Sequence, residues 1–158
     1  MKNFLVNINM KKNFFLEKIL IVYLIMSFTA LAKQNNYLEQ GIKLFNKSEF
    51  EKSRIFFEKD IVFNPRSENS YLYLAKIFNK EEKDEETENN LNNVLLLNPS
   101  NEEALYLLTL LKIKQSDYKE AKELITKFEI VCSTFCSKKK EIEKKMEGLT
   151  PENAKNND

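Results

Sequence analysis

A 34-residue echo constrains this chain more than any other feature: Asn64-Pro65 returns as Asn98-Pro99, and Gly41, Ala75 and Thr109 follow one another at the same step. A period of that length marks stacked helical hairpins, each covering its neighbour, rather than a single folded core. The step also joins Tyr37, Tyr71 and Leu105; Leu44, Phe78 and Lys112; Phe50, Asp84 and Tyr118; Ser53, Thr87 and Ala121; and Phe57, Leu91 and Ile125. Large and small residues thus recur in fixed places.

Within each unit the apolar residues keep a helical beat. Tyr71, Leu74, Ala75 and Phe78 form one stripe, and Leu91, Val94, Leu95 and Asn98 supply the facing stripe of the next helix. Asn-Pro ends that helix, because proline disfavours helical geometry in the residue before it. Ser48-Glu49-Phe50-Glu51 and Ser100-Asn101-Glu102-Glu103 match the capping box, with serine as the expected N-cap. The pattern predicts an all-α chain with helices at 36–47, 50–63, 67–80, 84–97, 101–114 and 117–132, and a last helix at 138–147. Small residues at 53, 87 and 121 fit places where helix axes come closest.

The period, the small mid-helix residues and the closing proline resemble the tetratricopeptide repeat (TPR). On that pattern the repeats run 34–67, 68–101 and 102–135. Departures are Ser53 and Thr87 for alanine, Lys112 for an aromatic, Ser133 for proline, and Asp60 at a position that normally faces a neighbouring helix. The resemblance implies a right-handed superhelical solenoid of helix-turn-helix units with a C-terminal capping helix, the array filling 33–149. It also implies a concave binding face built from the first helix of each repeat. By position that face holds Leu38, Ile42, Phe45 and Asn46; Leu72, Lys76, Asn79 and Lys80; and Tyr106, Leu110, Ile113 and Lys114. Leu38 and Ile42 stand where some members of the family carry carboxylate-clamping polar residues, which turns the expectation from a chaperone-tail clamp to an apolar-anchored helix or peptide. Lys76 and Lys80 are expected to meet an acidic residue of that partner. Packing of the same apolar residues against one another is the competing reading.

The ends differ in composition. Lys11 and Lys12 precede an apolar run from Ile19 to Ala32, closing on Ala30-Leu31-Ala32 before polar Lys33-Gln34-Asn35-Asn36. This reads as a secretory signal peptide over 1–32, with an uncleaved membrane anchor as the alternative. Met10 opens a second start that leaves the destination unchanged. Export places the chain in the periplasm or cell envelope, and a composition rich in lysine, asparagine and isoleucine suits a bacterial, AT-rich source. Cys132 and Cys136 could then form a disulfide, or serve as two small buried hydrophobes. Ile142, Met146 and Leu149 give the last helix an apolar stripe, Gly148 suits its stop, and 150–158 has the composition of a disordered tail.

Catalytic designs are scarce. Histidine is absent, and two glycines leave no phosphate-cradling loop. A serine nucleophile has no histidine base, a zinc site would need carboxylates beside two cysteines, and the acidic run Glu81–Glu88 lacks the spacing and glycine of a calcium loop. Lysines and arginines number 25 against 24 acidic residues, so no concentrated basic field points to nucleic acid. The expectation is a non-enzymatic scaffold with no cofactor and no metal, binding an envelope protein or peptide. A self-associating structural subunit is the alternative.

Overall fold

The structure, a computed structural model, describes residues 36–147. The expected signal segment 1–32, the stop at Gly148, Leu149 and the tail 150–158 lie outside the described residues. Among the described residues every regular element is helical, and each helix end falls within one residue of its expected place. Three hairpins follow one another: α1 (Tyr37–Asn46) with α2 (Phe50–Phe63), α3 (Glu68–Lys80) with α4 (Asp84–Leu97), and α5 (Glu102–Lys114) with α6 (Tyr118–Val131). A 3-10 turn, Cys136–Lys138, leads into α7 (Lys139–Glu147), which packs on α5 and α6. The chain is an all-α solenoid of stacked helical hairpins.

The turn inside each hairpin is built the same way three times. Ser48, Glu82 and Ser116, again 34 apart, take left-handed backbone with φ of 62°, 57° and 61°. The next amide reaches back to the helix: Glu49 N–H donates to the Leu44 carbonyl (3.0 Å), Lys83 to Phe78 (3.0 Å) and Asp117 to Lys112 (2.9 Å). This is the Schellman closure, which satisfies carbonyls that the helix end leaves open. Ser48 therefore ends α1 instead of capping α2, whose N-cap is Glu49 without a side-chain bond. The second expected capping serine is also corrected. Asn101 caps α5, its side-chain oxygen accepting from Ala104 N–H at 2.7 Å, while Ser100 bonds to Asn98. A side chain one position nearer the helix meets the free amides more directly.

Close approach of helices explains the small residues. A Cβ on Gly41 would lie 2.6 Å from the Phe57 ring, and Ser53 Oγ donates to the Gly41 carbonyl at 2.9 Å. Phe57 cannot yield, because it is fully buried and stacked on Tyr73 at 4.9 Å. Gly41→Ala should thus lower stability by about 1–2 kcal/mol even though alanine is the better helix former. A urea midpoint at or above that of the wild type would refute this contact.

Asp60 is 7% exposed, and its carboxylate accepts from Ser70 Oγ of the next hairpin at 2.6 Å, with Ser67 bonded to Ser70 in turn. Ser70 thus gives the buried carboxylate its partner at a helix–helix contact, and Ser67 supports Ser70 from behind. The core is unequal along the array. Its larger part joins the second and third hairpins to α7 through Leu91, Leu105, Leu108, Phe128 and Ile142. The smaller part, Phe57, Leu74 and Ile77, fastens the first hairpin to the second.

Candidate functional site

All twelve expected groove residues lie on α1, α3 and α5, but burial divides them. Leu72, Tyr106 and Ile113 are 6%, 8% and 6% exposed and belong to the core, so they are withdrawn from the contact surface. Leu72 and Ile113 sit in the core that joins the second and third hairpins to α7. For Tyr106 the cover is the C-terminal segment, with the Phe135 ring at 6.3 Å and Lys138 Nζ 5.4 Å from its ring. Burial, with a hydrogen bond to Glu141, raises its phenol pKa.

Leu38, Ile42, Phe45 and Leu110 remain partly exposed, as does Lys76, and Asn46, Asn79, Lys80 and Lys114 are exposed. The lysines divide as well. Lys76 pairs with Glu103 at 2.7 Å and Lys114 with Asp84 at 2.7 Å, so both are engaged within the array. The acid that Lys76 meets within the array is Glu103, on the next first helix. Lys80 lies over the Phe50 ring at 5.1 Å. It borders a shallow cleft of about 680 Å³ lined by Ser48–Lys52, Ile77, Lys80 and Glu81. Sequence reasoning missed this cleft, because it is made where the first turn meets the end of α3.

The apolar part of the open face is therefore concentrated on α1. Phe45 stands edge-on to Phe50 (5.3 Å) and Tyr73 (5.0 Å), and Leu38 and Ile42, like Phe45, pack against the cluster of Phe57, Leu74 and Ile77. Around the cleft charges are mixed. Arg54 faces Glu51 at 3.1 Å and Glu81 at 3.6 Å, and the Lys83 ammonium hydrogen-bonded to Glu81 holds that carboxyl below its usual range.

Beyond α6 the chain is held by a clasp. Cys132 leaves the helix in extended backbone, and a disulfide joins it to Cys136 with α-carbons 5.2 Å apart. The Glu102 carboxylate accepts from Ser133 Oγ (2.6 Å), Phe135 N–H (2.7 Å) and Thr134 N–H (2.9 Å). One repeat earlier Glu68 does the same with the Asn98 and Asn101 side chains. The clasp takes the place of the missing proline at Ser133. These bonds, that from Ser133 first, hold the Glu102 carboxyl down to about 2. A depressed pKa gives stability that is present above the ordinary glutamate value and lost as pH falls toward about 2. The stability difference between wild type and Glu102→Gln should thus be full at neutral pH and vanish in that acid window. Urea titrations across it check this, and a pH-independent difference would contradict the clasp.

Among the described residues no helix is long and apolar enough to cross a membrane, and no three Cys, Asp or Glu side chains gather where they could hold a metal. No protein-family model matches the chain. No curated protein matches it by sequence. Among solved structures, the Sgt2 TPR domain from Aspergillus fumigatus superposes with a TM-score of 0.61 over 73% of this chain and 80% of that one, at 16% identity. At that identity the likeness is one of fold: this chain stacks its helical hairpins as a tetratricopeptide-repeat domain does.

Proposed function

We propose that the protein is a non-catalytic adaptor that binds an apolar-anchored helix or extended peptide on the open face of its first two hairpins. The observation that carries this reading is the group Leu38, Ile42 and Phe45 on α1, which rests on the core of the first two hairpins and stays partly exposed. Apolar anchors in a helix-lined trough are the usual footing for such a segment. Lys80 and Asn79 at the far rim supply polar contacts that fix its direction. The partner is a protein of the cell envelope: the N-terminal apolar run supports export, and the Cys132–Cys136 disulfide suits an oxidising compartment.

The test is photo-crosslinking in cells from Ile42 and from Asn79, with Lys122 on α6 as an outward control. A dominant envelope-protein adduct from the two inner sites and not from Lys122 supports the adaptor. Adducts between copies of the chain would instead establish a self-associating subunit, and equal yields from all three sites would remove the groove from consideration.

A further inference from the structure

Four of the five large exposed hydrophobics among the described residues lie at the C-terminal ends of the second helices: Val62 (74% exposed), Phe63 (68%), Leu96 (80%) and Ile130 (78%). Val62, Leu96 and Ile130 are 34 apart, so each hairpin places one bare aliphatic side chain at the same position. Isolated exposed apolar residues need no explanation, but a row repeated at the period of the fold does. From this row we infer that the edge of the array formed by the ends of α2, α4 and α6 docks on an anionic lipid surface.

The same edge carries the starts of the first helices. Phe63 stacks on Tyr37 at 5.6 Å, Asn98 reaches Glu68, and Phe135 N–H reaches Glu102. The chain therefore enters the array at this edge, at Asn36, the N-cap of α1.

Charge points the same way. Exposed Lys59, Arg66 and Lys127 flank the aliphatic row. The carboxylates at this edge face protein partners instead: Glu68 and Glu102 hold the inter-repeat loops, Glu103 holds Lys76, and Glu129 holds Lys139. Single aliphatic anchors with lysine and arginine beside them suit the boundary between headgroups and acyl chains. A protein partner would call for a continuous apolar patch or a pocket, whereas the aliphatic residues stand one per hairpin, with exposed polar Asn92, Asn93 and Thr126 one turn earlier on the same helices.

The chain contains no tryptophan, so one introduced residue reports its own surroundings. The full chain carrying Leu96→Trp is compared with Gln115→Trp, which lies in the turn at the opposite end of the third hairpin, on vesicles of phosphatidylcholine with or without phosphatidylglycerol and with brominated acyl chains. The expected result is blue-shifted emission and several-fold stronger quenching for Leu96→Trp on phosphatidylglycerol-containing vesicles, weakened by adding Lys59→Glu and Lys127→Glu. Equal quenching at the two sites, or equal quenching on neutral and anionic vesicles, overturns the proposal. A blue shift without vesicles that grows with protein concentration also overturns it and assigns the edge to a second copy of the chain. Groove crosslinking concerns a different face, so either reading can fail alone.

Discussion

Phe57→Ala should lower the stability of the first hairpin by about 3–5 kcal/mol, the usual range for removing a fully buried phenylalanine. The size follows from how little else fastens that unit. In α1 and α2 the only other buried residues are Gly41, Ser53 and Asp60, none of which contributes a large apolar side chain. Phe57 alone fills the space under Gly41 and continues into the next hairpin by stacking on Tyr73. In a stacked array each unit is stabilised by itself and its neighbours, so the damage should remain local. Amide exchange should speed up throughout α1 and α2 while α5, α6 and α7 stay protected. Uniform loss of protection along the chain would show that the array unfolds as one body. The proposed peptide site shares this support, because Leu38, Ile42 and Phe45 pack against the cluster that Phe57 forms with Leu74 and Ile77. Binding on that face should be lost together with the protection.

Helix positions and hairpin order were legible because a repeated sequence tests each assignment three times. Gly41 reads as a close contact, since its equivalents are Ala75 and Thr109. What escaped was of two kinds. Ser48, Glu82 and Ser116 take left-handed backbone without the glycine or asparagine that usually signals it, so Ser48 passed for a cap. Contacts between units escaped as well. By position the three first helices look equal, yet Leu72 is buried in the core that joins the second and third hairpins, and Tyr106 lies under Phe135 and the last helix. Glu68 and Glu102 tie loops about one repeat away, and their own 34-residue spacing was the signal that could have revealed them. Local pattern finds a helix, whereas the loss of a face to a neighbour depends on stacking.

Lys112 makes the same point at a single residue, and its substitutions should separate charge from volume. It replaces an expected aromatic and is 6% exposed, with its ammonium 2.6 Å from Glu88 on α4 and 3.0 Å from Glu120 on α6. Burial alone would lower its pKa, but the hydrogen bonds to Glu88 and Glu120 outweigh this and raise it. Lys112→Ala removes both the stem that fills the inter-hairpin space and the cation between two carboxylates, so a loss of about 2–4 kcal/mol is expected. The upper range for a broken buried pair does not apply, because the side chains of Glu88 and Glu120 are 28% and 42% exposed and water can take over part of their solvation. Lys112→Met keeps most of the volume, and a buried ion pair replaced by a packed apolar residue is often nearly neutral, so it should fall within about 1 kcal/mol of wild type. Urea midpoints of the two variants decide between the terms: a methionine variant as weak as the alanine one would mean that the pairing, not the filled space, holds the second and third hairpins together. A raised folded-state pKa also gives the lysine's contribution a direction in pH: it is present below the ordinary lysine value and lost as pH rises through the raised one. Any stability advantage of wild type over Lys112→Met should therefore close only in strongly alkaline solution.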